Sequence, residues 1–258
     1  MIDIGANLAH DGFDHDREAV LQRAWDAGLS AIIVTGSSRD SAVKARDLAR
    51  AHPGRLYATV GLHPHHATDW NAELGSLFRE LAGDPAVVSL GECGLDYFRD
   101  FSPHGAQRAA FVAQLEIAAE LKKPLFLHQR DAHADFVAIL REHRPRLTEV
   151  CVHCFTDTQA ALEEYLKLDC HIGITGWVCD ERRGKEVLDL VKQIPEDRLL
   201  VETDAPYLLP RAAPRQSHRR NEPMFLPYVV HAIAAARGAD EAQVAKLTEA
   251  NARRFFHL

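Results

Sequence analysis

At 258 residues, 47% of them hydrophobic and 26% charged, the chain has the size and composition of a soluble α/β protein with one large core. Thirty Lys and Arg against 37 Asp and Glu give a formal charge of −7, which excludes a duplex binder with a basic surface over a whole face and leaves room only for local basic patches. No apolar run reaches the roughly eighteen residues of a membrane span, and Met1-Ile2-Asp3 lacks the basic and apolar segments of a secretion signal. The expectation is a cytoplasmic protein with no membrane partner. Five scattered cysteines, Cys93, Cys151, Cys154, Cys170 and Cys179, fit reduced thiols better than a disulfide framework. Cys151-Val152-His153-Cys154 has no second pair at zinc-ribbon spacing, which argues against a structural zinc knot.

In chain order, short apolar runs alternate with longer amphipathic stretches. The runs predict strands at 2–8, 31–35, 56–61, 87–91, 124–127, 149–152, 170–174 and 199–202. Between them, Ala-, Leu- and Glu-rich periodicity and capping residues predict helices at 16–27, 39–51, 72–81, 103–121, 132–142, 158–166, 184–193 and 223–236, with an extra one at 240–255. Eight β–α alternations without a linker predict one domain over residues 1–258, a (β/α)8 TIM barrel with one extra C-terminal helix. A doubly wound open sheet would want a glycine-rich phosphate loop after the first strand, and Ile4-Gly5-Ala6-Asn7 is a poor match.

A barrel enzyme carries its chemistry at the carboxyl ends of its strands. The third predicted strand runs into His63-Pro64-His65, the fourth into Glu92, the fifth into His128, the sixth into His153 and the eighth into Asp204. An apolar strand has no packing reason to end in an unpaired carboxylate, so Glu92 needs a partner. Imidazole and carboxylate are ligands for Zn²⁺, Mn²⁺ and related divalent ions. Glu92, His128, His153 and Asp204 therefore read as a metal site. Asp204, and with it Glu92, reads as catalytic, Asp204 orienting or deprotonating a water whose pKa the metal lowers. Glu202 shares its strand face with Asp204, and either supports the site or pairs inside the barrel. His63 and His65 divide between metal ligation and contact with a substrate phosphate.

Arginines gather after the same strands. Arg99 follows the fourth, Arg130 the fifth, and Arg182 and Arg183 the seventh, while Arg211, Arg215, His218, Arg219 and Arg220 crowd the loop after the eighth. Guanidinium matches phosphate bidentately, so the distribution favours a phosphorylated polyanion over a neutral metabolite. Arg130, Arg182, Arg183, Arg219, Arg220 and Tyr207 are the candidate substrate contacts. Tyr97, Phe98, Phe101, Phe155, Trp177 and Tyr207 lie near these loops, where aromatics either stack unpaired bases or belong to the core.

Six segments, Gly61-Leu62-His63-Pro64-His65, Gly91-Glu92-Cys93-Gly94-Leu95-Asp96, Leu127-His128-Gln129-Arg130, Val152-His153-Cys154-Phe155, Gly173-Ile174-Thr175-Gly176 and Glu202-Thr203-Asp204-Ala205-Pro206-Tyr207, together with Arg219-Arg220-Asn221-Glu222-Pro223, span nearly the whole chain. They resemble the TatD family of metal-dependent deoxyribonucleases among the amidohydrolase-like barrels. Most of that family opens with His-x-His on the first strand, where this chain has Gly5-Ala6-Asn7. Asn7 is left as a weaker oxygen contact. The branch for which the family is named is similar here, and in Gly176-Trp177-Val178-Cys179-Asp180-Glu181-Arg182-Arg183-Gly184. That resemblance implies an Mg²⁺-dependent 3′-5′ exonuclease on single-stranded DNA and RNA, acting in the cytoplasm in DNA repair. The alternatives on the same barrel are a small-molecule amidohydrolase such as a lactonase or phosphotriesterase, an editing hydrolase on aminoacyl-tRNA and a non-catalytic binding module.

Overall fold

The computed structural model describes residues 1–182, 184–214 and 219–258. Its eight parallel strands are β1 (Ile2–Ala6), β2 (Ala31–Val34), β3 (Leu56–Val60), β4 (Val87–Asp96), β5 (Leu125–Arg130), β6 (Val150–Val152), β7 (His171–Ile174) and β8 (Leu199–Val201), paired in that order. Each is followed by its helix: α1 (Arg17–Asp26), α2 (Arg39–Ala51), α3 (Ala72–Ala82), α4 (His104–Leu121), α5 (His133–His143), α6 (Gln159–Lys167), α7 (Lys185–Val191) and α8 (Leu226–Arg237). The extra helix, α9, is Glu241–Phe256. Just past β8, Asp204 N–H donates to Gly5 O (2.8 Å) and Asn7 N–H to Ala205 O (2.7 Å), drawing the last strand onto the first. The result is a nearly closed (β/α)8 barrel.

Strand alternation sorts the apolar side chains into two layers. One set, including Ile32, Val34, Leu125, Leu127 and Ile172, packs outward against helix residues such as Ala45, Leu115 and Phe136. The other, Ile2, Ile4, Ala31, Ile33, Val88, Phe126, Cys151 and Leu200, fills the barrel and meets Phe255 and Phe256 of α9. The extra helix therefore plugs the amino-terminal end. Capping defines the helix starts: Ser38 accepts from Ser41 N–H before α2, Asn71 from Leu74 N–H before α3, and Asp240 from Gln243 N–H before α9.

β4 departs from expectation. Its glycine was expected to end the strand at residue 91, yet it runs to Asp96. A side chain at Gly91 (φ +125°) would place its Cβ 2.1 Å from Phe126 O, and one at Gly94 (φ +145°) 1.9 Å from His128 O. Glycine lets the two backbones approach and the strand continue, where any side chain would force them apart. Between Leu90 and Cys93 the register against β5 slips by one residue, since that interval is opposed only by Leu125 to Leu127. This bulge carries Glu92, and a similar slip between Asp3 and Ala6 of β1 carries Gly5.

Candidate metal centre

A pocket of about 800 Å³ opens at the carboxyl ends of the strands, lined by residues that include Asn7, His63, His65, Glu92, Asp96, His128, His153 and Asp204. A second hollow of about 810 Å³, by Lys192, Pro195 and Arg237, lies where α7, α8 and α9 approach one another. Its lining residues include no cluster of metal-ligating side chains.

Glu92 is the hub of the first pocket. Its Oε1 lies 2.8 Å from His153 Nε2, 3.0 Å from His128 Nδ1 and 3.4 Å from His63 Nε2. Three rings thus converge on one carboxylate oxygen that is almost wholly out of solvent. Ligand atoms of His63, Glu92 and His128 all lie within 4.8 Å of one another, a triad able to hold a divalent metal. Burial alone would raise the Glu92 carboxyl, but the His153, His63 and His128 rings hold it well below the usual carboxylate range.

Two further carboxylates stand behind the rings. His153 Nδ1 is 3.3 Å from Glu202 Oε2, so the ring is held between Glu202 and Glu92. Burial disfavours its charged form, yet these two carboxylates raise it well above an ordinary imidazole. His128 Nε2 is buried without a hydrogen-bond partner among the described residues, 3.4 Å from Asp96 Oδ2. Burial again opposes the charged ring, and Asp96 and Glu92 outweigh it to raise the pKa. His63 differs. Its Nδ1 accepts from His65 N–H at 3.1 Å, and burial pushes its pKa down to about 4 despite Glu92.

Asp96 had no role assigned from sequence. Its Oδ2 is 2.8 Å from His65 Nε2, and its Oδ1 accepts the Phe98 and Arg99 N–H groups at 3.0 and 2.8 Å. Burial works against its ionised form, but the nearby His128 ring, the His65 ring and the Arg99 N–H hold it well below the usual range. The signal lay in the alternation from Glu92 to Asp96 on a strand that reads as ending too early.

The first-strand departure has a physical account. A Cβ at Gly5 would lie 2.4 Å from Glu202 Oε2, and one at Gly173 2.9 Å from Glu202 Oε1. Glu202, fully buried, occupies the volume that a side chain on residue 5 would need, and its Oε1 also accepts from Cys154 N–H at 2.6 Å. Asn7 Nδ2 donates to Asp204 Oδ1 at 3.0 Å. Burial, with Glu92 and Glu202 nearby, pushes Asp204 up to about 8 against the opposing His153.

The other sequence candidates scatter. Arg130 and Tyr207 line the pocket. Arg182 and Arg219 are exposed outside its lining. Arg220 is tied to Asp16 and Glu222 at 2.7 and 2.8 Å, an internal ion-pair network rather than a free phosphate contact. Arg183, Arg215 and His218 lie outside the described residues.

Imidazoles and carboxylates converging at the strand ends of a parallel barrel are the setting in which metal-dependent hydrolases hold their ion, and this chain is of that class. The family model for TatD related DNase matches residues 2–257, and the chain belongs to that family. It is similar to the 3′-5′ ssDNA/RNA exonuclease TatD of Pantoea vagans (strain C9-1), 50% identical over 259 residues with all of both chains covered. Among solved structures it is similar to the TatD homologue YJJV of Escherichia coli K12, with TM-score 0.91, 28% identity and coverage of 100% of this chain and 98% of that one. A TatD family hydrolase from Entamoeba histolytica gives TM-score 0.89, 25% identity and coverage of 99% and 97%. Among the described residues no helix is long and apolar enough to cross a membrane.

Proposed function

We propose that residues 1–258 act as one domain, a metal-dependent 3′-5′ exonuclease that hydrolyses phosphodiester bonds of single-stranded DNA and RNA. The observation that carries this reading is the convergence of His63, His128 and His153 on Glu92 Oε1, inside a pocket that Arg99 and Arg130 also line. Relatives named as such exonucleases, half identical over their whole length, support the substrate and polarity. The five cysteines are unpaired, which supports a reducing compartment and so the cytoplasm.

The donor set fits a divalent ion. His128 and His153 each aim one nitrogen at Glu92 and the other at a carboxylate, Asp96 or Glu202, which is how ligating imidazoles are oriented. With Nδ1 accepting from His65, a neutral His63 carries its proton on Nε2, so ligation there gives up that turn bond. Glu92, His128 and His153 are the proposed principal ligands, with Asp204 completing the set, and His63, in the triad with Glu92 and His128, or His65 adding a contact to metal or phosphate. A bound divalent ion supplies positive charge that polarises a phosphoryl oxygen and eases ionisation of water. Asp204, steadied by the Asn7 amide and ionised when positive charge offsets the neighbouring Glu92 and Glu202, would take the proton of the attacking water at a carboxylate oxygen. Arg130, with Arg99, holds the phosphates of the strand, and Tyr207 borders the same space. Mg²⁺ is the proposed working ion. Mg²⁺ would draw on the carboxylates and water, whereas the imidazoles suit Mn²⁺ and Zn²⁺ better.

The test is a metal panel on 3′- and 5′-labelled single and double strands. The expected result is divalent-dependent release of mononucleotides from the 3′ end of single strands. Release from the 5′ end, or turnover of lactones or aminoacyl esters with every strand left intact, would overturn the reading.

A further inference from the structure

Among the described residues, the exposed large apolar side chains are Phe98, Phe101 and Tyr207, at 54%, 67% and 52% exposure. All three stand at one place. Phe98 and Tyr207 line the metal pocket, and Phe101 packs edge-on against His65, itself in the lining, with ring centroids 4.8 Å apart. Apolar rings scattered over a surface need no explanation, but three gathered at the mouth of a polar pocket do.

Their loops are fixed. The turn that carries Phe98 is pinned by Asp96 Oδ1, which accepts two of its N–H groups, and its far end by Ser102 Oγ donating to His65 O at 2.9 Å. Gln107, fully buried, ties Asp96 and Ser102 together from α4. Tyr207 is anchored by its backbone, its N–H donating to Asp204 O and its carbonyl accepting from Asn221 Nδ2. Rings held this way lose little freedom on binding. Cations accompany them, with the Arg130 guanidinium 3.8 Å from the Phe98 ring centroid and that of Arg99 5.9 Å away. The loop after β4 and the loop after β8 are four strands apart in an eight-strand barrel, so the two sets of rings belong to opposite sides of the mouth.

We propose that Phe98 and Phe101 form a stacking platform for unpaired nucleobases, opposed by Tyr207, with Arg130 and Arg99 taking the adjoining phosphates. This rests on the nuclease reading and deepens it. A base can lie on an aromatic face only when it has left its stack, so the platform selects single strands. An apolar small molecule would be served by a closed apolar wall, whereas here each ring sits beside arginine or histidine.

The test is a cycle. Kinetics are measured for wild type and for a Phe98→Ala/Phe101→Ala variant, on a single-stranded oligonucleotide and on the same strand with abasic residues at its last 3′ positions. Stacking predicts that removing the rings raises KM about tenfold, that removing the bases from the wild-type reaction does the same, and that doing both costs no more than either alone. A Phe98→Trp/Phe101→Tyr variant restores the wild-type KM. Additive losses, or no loss on base removal, overturn the platform and leave the nuclease reading standing. If wild type releases nucleotides from neither strand, the nuclease reading fails and the platform falls with it.

Discussion

The two ends of the barrel are built from the same eight strands and are opposite in character. At the amino-terminal end, Phe255 and Phe256 of α9 close an apolar plug over Ile2, Ile33 and Leu200. At the carboxyl end, glycine replaces bulk at positions 5, 91, 94 and 173, and buried carboxylates at Glu92, Asp96 and Glu202 stand among the histidines. One end is paid for by packing. The other assembles charges that cost stability unless something positive joins them, and that arrangement is kept because it binds and reacts.

The comparison breaks most directly at its two hubs. Glu92→Gln keeps the shape of the mouth and removes the charge on which three rings converge. Turnover of a 3′-labelled strand by molecules that remain folded should fall by about 10³-fold or more, a loss beyond any that the change in melting midpoint explains. Phe255→Ala should do the reverse. It empties space beneath the barrel and should cost about 3–5 kcal/mol, read from denaturant unfolding, with kcat near wild type for molecules that remain folded. If Phe255→Ala lowered kcat as far as Glu92→Gln, the two ends would not be separable.

That separation was only partly legible in the sequence. Period and capping placed the helices well, and α2 spans 39–51 as expected because the caps Ser38 and His52 bracket a buried face of Ala42, Ala45 and Ala49. Polar strand ends exposed Glu92, His128, His153 and Asp204 because a charged residue after an apolar run is conspicuous in one dimension. What escaped depends on neighbours distant along the chain. The run of β4 beyond residue 91 escaped, since a sequence does not show the Phe126 and His128 carbonyls that approach Gly91 and Gly94. Arg220 read as a strand contact, since its partner Asp16 lies at the other end of the chain. Nor does the sequence show that Glu202 fills the side-chain space of residue 5.

Gly5 sharpens the comparison, because at this end the smallest residue protects the chemistry rather than the packing. Gly5→Ala would set a methyl 2.4 Å from Glu202 Oε2 and force that carboxylate away from His153 Nδ1. The expected outcome is metal affinity weakened about 10–100-fold, measured by Mn²⁺ titration, with a similar loss in Glu202→Gln. Wild-type affinity in Gly5→Ala would show that Glu202 does not hold the ring. The same clash bears on the missing first-strand imidazole: Gly5→His should lower metal binding rather than add a site.

A pH-dependent effect lies at the seam where β1 meets β8. Asp3, fully buried, accepts from Gly5 N–H, Thr203 N–H and the Thr203 hydroxyl. Burial nevertheless pushes its carboxyl from 3.8 up to about 7, those hydrogen bonds offsetting part of the rise and Glu202 adding to it. Between those two values the folded chain holds a proton that the unfolded chain has released, so the group's contribution is present at low pH and fades as pH rises to about 7, by at most about 1.4 kcal/mol per pH unit. An amide does not titrate. The melting midpoint of Asp3→Asn, taken relative to wild type, should therefore climb between pH 4 and 7 and level off above that, whatever its value at the start. The subtraction cancels every group the two proteins share, including the histidines of the mouth. A difference that stays flat across the range would mean that Asp3 is ionised throughout, and that the seam tolerates a buried charge as the metal pocket does.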